Sequence, residues 1–262
     1  ALCVLGAACS RQPEFDLVIR GGTVHDGTGS VDGVRQADVG LKGDRISAIG
    51  DLSQRRAASV IDATGKVVAP GFIDARGQSG VSLLGDGYAE SHLRQGITSE
   101  IIGDGSPAFW TMRTMDAAGL QRYGAAFDWA GFAGYFQKLE SRGIALNVGT
   151  LVPVSIARAE GGGAFVDAAM RAGALGVVND SGGPPGLDGP WAGVPGGVFM
   201  SPLTSGAPAG EATDEIMAAG AGMRAATIVV SDVMLIEPPD AMTTSQVVAR
   251  LVAAGQRGLR VF

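Results

Sequence analysis

The sequence predicts an α/β protein: a small N-terminal β domain followed by an incomplete (β/α)8-type barrel. Before residue 70, short apolar runs alternate with Gly- and Asp-containing turns, which is typical of a β layer. After Gly71 the pattern changes to apolar strand, polar loop and amphipathic helix, which is typical of parallel βα units. The stretch Val67–Ser79, VVAPGFIDARGQS, joins the two patterns.

The composition indicates a folded protein and argues against nucleic-acid binding. The chain has 262 residues, of which 46% are hydrophobic, and this is enough to form a core. The formal net charge is −6 and no cluster of Lys and Arg is present, whereas nucleic-acid binders usually carry a basic face.

Residues 1–14 resemble the end of a bacterial lipoprotein signal. The run ALCVLGAACS is apolar and ends in small residues, which makes Cys9 the predicted lipidation site. The alternative is a disordered apolar N-terminus. With a lipoprotein signal, the protein is exported and is periplasmic or membrane-anchored in a bacterium. Cys3 and Cys9 both lie in this segment, so the remainder of the chain has no disulfide and no thiolate ligand.

Residues 15–70 are predicted to form half of a β-sandwich domain with an antiparallel β layer. Gly and Asp tolerate the positive φ angles of tight turns and bulges. Such turn or bulge residues occur at Gly21-Gly22, Asp26-Gly27, Lys42-Gly43-Asp44 and Thr64-Gly65.

Residues 71–262 are predicted to form a partial barrel of about seven strands. The predicted strands are Phe72–Asp74, Thr98–Ile102, Leu146–Leu151, Leu175–Asn179, Gly197–Ser201, Thr227–Ser231 and Leu259–Phe262. The predicted helices are Tyr88–Gln95, Trp129–Arg142, Ala164–Ala172, Gly210–Ala219 and Thr244–Arg257. Because a closed barrel of this type has eight strands, the barrel is expected to be incomplete.

Several segments together resemble the amidohydrolase superfamily, most closely its N-acyl-D-amino-acid deacylase (D-aminoacylase) branch. They are FDLVIRGGTVHDGTG, DVGLKGDRISAIGDL, VIDATGKVVAPGFID, QGITSEIIGDG, GIALNVGTLV and AGALGVV. The resemblance implies a β-sandwich joined to a (β/α)8 metallo-hydrolase barrel, and hydrolysis of an amide by metal-activated water. Family members are considerably longer, so the resemblance also implies a C-terminally truncated chain without the last strand and its catalytic aspartate.

The resemblance implies a divalent metal, normally zinc, but the first two ligand positions are altered here. In the family the first barrel strand ends in His-x-His, because side chains two apart on a strand point the same way. Arg76 and Gln78 occupy these positions. Arginine cannot ligate a metal and a Gln amide is a poor zinc ligand, although a family subgroup also carries Gly-Gln-Ser at Gly77–Ser79. The second strand should supply a cysteine, where this sequence has Gly105.

The later ligand positions are altered in the same way. The fifth and sixth strands of the family end in Thr-His and Ser-His, where this chain has Ser201-Pro202 and Ser231-Asp232. The two histidines, His25 and His92, fall at no ligand position of the family, and both are expected to be solvated or hydrogen-bonded. Zinc is therefore expected to be absent or weakly bound.

A group of acidic residues is what remains for chemistry at the barrel mouth. It comprises Asp74, Glu100, Asp104 and Asp232. Such oxygen ligands prefer Mg²⁺, Ca²⁺ or Mn²⁺, but the same carboxylates can also cap helices or pair with Arg76. For Glu100, a side chain pointing into the barrel and one held by strand-end hydrogen bonds are both open. The weak metal-ligand candidates are Glu100, Asp104 and Asp232.

The sequence thus supports two functions. The first is a hydrolase of non-peptide C–N bonds, D-aminoacylase-like, acting on a small molecule such as an N-acyl-amino acid. The predicted catalytic residues are Asp74, Glu100 and Asp232, and the predicted substrate-binding residues are Arg76, Gln78, Ser79 and Asp104. The alternative is an inactive family member or fragment that binds a small molecule or protein. A homo-oligomer or a complementing chain is a further expectation.

Overall fold

The structure is a computed structural model of the chain. It describes residues 12–103, 121–124, 128–129, 131–180, 197–202, 227–231 and 260–261, together with positions 214, 218, 249, 252 and 253. The chain divides into two compact units, Ala1–Gly71 and Phe72–Phe262. Within the described residues, no helix is both long and apolar enough to cross a membrane.

The first unit is a five-stranded sheet built around one long strand. Its strands are β1 (Phe15–His25), β2 (Val34–Lys42), β3 (Arg45–Gly50), β4 (Ala57–Asp62) and β5 (Val67–Val68). The order is β3-β2-β1-β4, and β5 pairs with another part of β1. The hairpin at Lys42-Gly43-Asp44 is confirmed, because β2 and β3 pair antiparallel across it. Gly21-Gly22 lies at a register shift of β1, as expected for a bulge.

The prediction that this layer is wholly antiparallel was wrong. Strands β4 and β5 both run parallel to β1, at Phe15–Arg20 and Thr23–Val24 respectively. One edge of β1 is occupied by the β1–β2 hairpin, so the later strands can pair only with its other edge. Both strands run parallel to β1 on that edge. β4 pairs with β1 before the bulge, and β5 pairs with β1 after it.

Asp38 is a buried carboxylate inside the first unit. It lies on β2, and its side chain accepts hydrogen bonds from the amides of Gly21 (2.8 Å) and Leu52 (3.1 Å). Arg20 Nε lies 3.9 Å from Asp38 Oδ2. Both carboxylate oxygens are therefore partnered, and Asp38 ties the bulge of β1 to the loop after β3.

The second unit contains one parallel sheet of seven described strands. These are β6 (Phe72–Asp74), β7 (Ile97–Ile102), β8 (Asn147–Pro153), β9 (Gly176–Val178), β10 (Val198–Pro202), β11 (Thr227–Ser231) and β12 (Arg260–Val261). They pair in chain order from β6 to β12, and each described pair is parallel. The seven predicted strands and the incomplete-barrel fold class are confirmed.

Helices connect these strands as the sequence predicts. They are α1 (Ser82–Gly85), α2 (Glu90–Arg94), α3 (Gly131–Arg142), α4 (Val154–Ala159) and α5 (Gly163–Arg171). Three of the predicted helices correspond to α2, α3 and α5. The two predicted last, Gly210–Ala219 and Thr244–Arg257, lie largely outside the described residues. Gly143 ends α3 with a φ of +72°, which favours glycine at this position.

The sheet of the second unit has two distinct faces. One face packs against the helices and carries alternate residues of successive strands, Ile102, Val152, Val177 and Phe199. The other face carries Leu151, Val178 and Met200, with Ile101 beside them. Side chains alternate between the two faces along a strand, so residues two apart on one strand lie on the same face.

Candidate functional site at the end of the first barrel strand

The end of β6 and the turn after it carry four of the predicted site residues. Asp74 is half-buried at the end of β6, and its Oδ1 accepts a hydrogen bond from the Arg76 amide at 3.0 Å. Arg76 and Gln78 are exposed, whereas Ser79 is half-buried. The Gly77 amide donates to the Ile101 carbonyl at 2.8 Å, which fastens the turn to β7. The exposed side chains of Arg76 and Gln78 therefore lie on either side of a residue that is hydrogen-bonded to β7.

Glu100 is fully buried, with an exposed fraction of 0%. Glu100 and Ile102 are two residues apart on β7, so their side chains lie on the same face of the sheet. This is the helix-packed face, not the face shared by Ile101 and Leu151. Its Oε1 accepts a hydrogen bond from the Ser79 amide at 2.9 Å. Of the two arrangements left open by the sequence, the structure has the carboxylate held by a hydrogen bond near the strand end.

A bulge brings Asp74 beside Glu100. Phe72 pairs with Ile97, but the next residue, Ile73, pairs with Ser99, so one residue of β7 is skipped. As a result Asp74 lies directly opposite Glu100 in the ladder. Without the shift it would face Ser99, whose side chain points to the other face of the sheet.

His92 also reaches this place, which sequence reasoning did not anticipate. One ring nitrogen of His92, one carboxylate oxygen of Asp74 and one of Glu100 all lie within 4.8 Å of one another. Its Nε2 lies 3.4 Å from Ser79 Oγ. The available signal was its position on the helix that connects β6 to β7. His25, by contrast, is exposed at the end of β1.

The charge of Glu100 acts on a neighbouring aromatic side chain. Burial, and secondarily the negative charge of Glu100, raise the pKa of the Tyr135 hydroxyl far above its usual range. The hydroxyl is therefore neutral and donates a hydrogen bond to the Gly80 carbonyl at 2.7 Å. Tyr135 on α3 thus anchors the same turn that Glu100 holds through Ser79.

Three predicted site residues lie outside the described part of the chain. They are Asp104, which follows β7 closely, Asp232, which directly follows β11, and Cys9 in the N-terminal segment. Of the four acidic residues predicted to converge, the structure brings Asp74 and Glu100 together. The predicted roles of Asp104 and Asp232 stay predictions.

The residues at the family's metal positions do not fit zinc where the structure describes them. Arg76 is a permanent cation and Gln78 offers only an amide, and both are exposed. Ser201 is buried at the end of β10, and its Oγ accepts a hydrogen bond from Asn179 Nδ2 at 3.1 Å. No soft or imidazole ligand is present at these described positions, so we derive no catalytic step through a metal there.

Comparison with known proteins shows what the chain resembles, although no family model matches it. It is 43% identical over 145 residues to N-acyl-D-glutamate deacylase of Alcaligenes xylosoxydans xylosoxydans, and this match covers 54% of this chain and 29% of the relative. It is 34% identical over 148 residues to D-aminoacylase of the same organism, covering 55% of this chain and 30% of the relative. By sequence and fold, the chain resembles the D-aminoacylase-like amidohydrolases.

A solved structure extends the likeness beyond those segments. N-acyl-D-glutamate deacylase from Bordetella bronchiseptica, complexed with zinc and a phosphonate inhibitor, superimposes with a TM-score of 0.72 and 26% identity. The match covers 94% of this chain and 57% of that protein. The sequence matches thus span less than a third of the curated relatives, and the structural match spans somewhat more than half of the solved protein.

Proposed function

We propose that this chain is a hydrolase of C–N bonds in N-acyl-amino acids, of the D-aminoacylase-like type. The observation that carries the proposal is the 43% identity to N-acyl-D-glutamate deacylase over 145 residues. The structural similarity to the deacylase of Bordetella bronchiseptica, at a TM-score of 0.72, supports it independently of the most similar segments. N-acyl-D-glutamate is accordingly the first substrate to test.

In this proposal the exposed turn after β6 contacts the substrate. The Arg76 guanidinium pairs with the carboxylate of the N-acyl-amino acid, while Gln78, Ser79 and Asp104 supply hydrogen-bonding groups around it. Asp74 and Asp232 follow or end parallel strands, where catalytic groups of such barrels gather, and one of them takes the proton of the attacking water. The catalytic role of Glu100 stays a prediction, since its observed contact holds the Ser79 amide.

We further propose that zinc binds weakly or not at all at the family's ligand positions in this chain. The support is chemical: Arg76 repels a cation, and the described residues Gln78 and Ser201 offer no strong zinc ligand. The proposed hydrolysis is then insensitive to chelators.

The test is an assay of free amine released from N-acetyl-D-glutamate by the purified chain, with N-acetyl-L-glutamate as the matched control. We expect turnover of the D isomer, persistence of that turnover in EDTA, and a strong loss in Arg76→Ala. Arg94→Ala is the control variant, because Arg94 pairs with Glu90 on α2 and lies outside the predicted binding residues. Absence of turnover for every N-acyl-D-amino acid tried would overturn the hydrolase proposal.

The mismatch at the ligand positions favours a second function, that of a non-catalytic binding module. It predicts that N-acetyl-D-glutamate binds without being hydrolysed. Calorimetry on the same samples separates the two functions, because binding without release of amine supports the module and release of amine supports the enzyme. We also propose that the chain associates with another copy of itself or with another chain. Light scattering measures this association.

We also propose export and lipid anchoring through Cys9. The support is the apolar run that ends in small residues before this cysteine. Expression in a bacterium fed a labelled fatty acid tests it. Label is expected in the unaltered chain and in Cys3→Ser, and is expected to be lost in Cys9→Ser; label retained in Cys9→Ser contradicts the proposal.

A further inference from the structure

Asp74, His92 and Glu100 form a compact group, called the Asp–His–Glu cluster below. Asp74 ends β6, His92 lies on α2 and Glu100 lies on β7, so three consecutive elements each supply one donor atom. These donor atoms lie within 4.8 Å of one another. The cluster does not include the positions at which the family resemblance places metal ligands, which in this part of the chain are Arg76 and Gln78.

One oxygen of the buried Glu100 carboxylate lacks a partner. Oε1 accepts the Ser79 amide, whereas Oε2 is buried and has no hydrogen-bond partner among the described residues. A buried carboxylate oxygen without a partner is costly, and native proteins normally supply one or bind an ion there. The unpartnered oxygen is an observation independent of the acidic composition of the cluster.

The turn is shaped around the carboxylate of Glu100. A Cβ added at Gly77 would lie 1.9 Å from Glu100 Oε1, so only glycine leaves room for the carboxylate in this position. Ser79 then holds Oε1 through its amide, and its hydroxyl lies 3.4 Å from His92 Nε2. Both the acid and the imidazole are thus positioned by the same short turn.

The donor set matches a divalent transition metal. One imidazole nitrogen and two carboxylate oxygens suit cations such as Mn²⁺, which accept oxygen-rich sites and complete their shell with water. Metal–ligand distances of about 2.0–2.2 Å place neighbouring ligand atoms about 3–4 Å apart. The observed limit of 4.8 Å therefore requires only a small closing movement of the side chains.

We propose that the Asp–His–Glu cluster binds one divalent transition-metal cation, beside the helix-packed face of the sheet. The bound cation partners Glu100 Oε2 and links α2 to β6 and β7. This site goes beyond the proposed hydrolysis, with which it shares Asp74 and the adjoining Ser79, and it does not include Arg76 or Gln78.

The test is a titration of the full chain, first stripped with chelator, with MnCl₂, in which electron paramagnetic resonance measures free Mn²⁺. One Mn²⁺ per chain is expected. His92→Gln and Glu100→Gln are each expected to weaken the Kd at least about tenfold, as losses around metal sites commonly do. Glu90→Gln is the matched control, since Glu90 is exposed on the same helix and pairs with Arg94.

No Mn²⁺ binding by the unaltered chain overturns the proposal, and so does binding that both cluster variants leave unchanged. Circular dichroism identifies a variant that fails to fold; His92→Gln, at a half-buried position, then decides the outcome alone. No substrate is present in this titration, so its result is independent of whether the chain hydrolyses N-acyl-amino acids.

Discussion

Asp38 in the first unit and Glu100 in the second are both buried carboxylates, but their surroundings differ. Asp38 receives two backbone amides, one on each oxygen, and has Arg20 Nε 3.9 Å away. Glu100 receives one amide on Oε1, and its Oε2 has no hydrogen-bond partner in the described part of the chain. The first carboxylate is therefore complete as a structural tie, whereas the second has capacity left for a ligand.

The difference teaches how to separate structural from functional acidic residues. Buried polar groups in native proteins are normally hydrogen-bonded, so a satisfied carboxylate needs no further explanation. A half-satisfied one, placed beside His92 and Asp74, does. The predictions below test this contrast, in order of decreasing expected effect.

Asp38→Ala is expected to lower the free energy of unfolding of the first unit by about 3 kcal/mol, because the buried Leu52 amide and the Gly21 amide both lose their acceptor. Hydrogen exchange measures this best, since the amides of Gly21 and Leu52 should lose protection first. Asp38→Asn, which keeps the shape and one oxygen, should cost less. Unchanged protection at both amides would show that Asp38 is not the tie described above.

Gly77→Ala is expected to destabilise the second unit by about 1–3 kcal/mol, because the added Cβ meets the Glu100 carboxylate. Urea unfolding followed by tryptophan fluorescence measures the effect, since all three tryptophans, Trp110, Trp129 and Trp191, belong to the second unit. Gly77→Ala made in the Glu100→Ala variant should lower the free energy of unfolding by less, since the clashing carboxylate atoms are gone. The double-mutant cycle measures this coupling. Ser79→Ala, which keeps the amide, is the control; additive effects of Gly77→Ala and Glu100→Ala would contradict the contact.

Glu100→Gln is expected to leave the metal-free second unit as stable as before, or more stable by about 1 kcal/mol, because it removes a poorly partnered buried charge. The Ser79 amide keeps an oxygen acceptor in this variant. The same acid-to-amide change at Asp38 should destabilise the first unit. Paired urea titrations in EDTA compare the two, and a clear loss of stability in Glu100→Gln would mean that its Oε2 has a partner after all.

The smallest effect concerns exposed aspartates of the first unit. Hydrogen bonds from Thr64 lower the pKa of Asp62, and those from Ser53 lower the pKa of Asp51. A lowered folded-state pKa means that the stabilisation is complete above the unfolded value of about 4, and is lost as the pH falls through the folded value. NMR titration of Asp62 should show the lowered pKa, and Thr64→Ala should raise it toward the usual value.

The sequence by itself determined the order of elements and the joint between the two units. Alternating apolar runs and turn residues such as Gly43 are local signals, and the strands that they predict are the observed ones. The family likeness also rested on such local segments. Likewise, the chemical mismatch at Arg76 and Gln78 was visible without a structure, because it depends on residue type alone.

Only the tertiary structure decided how these elements meet. The parallel pairing of β4 and β5 with β1 depends on which strand edge is open, and no local pattern records that. The cluster depends on the bulge that moves Asp74 opposite Glu100, and on the rotation of the five-residue helix that carries His92. Both are determined by long-range packing, which is why the sequence placed Asp74 and Glu100 in one group but did not indicate that His92 joins them.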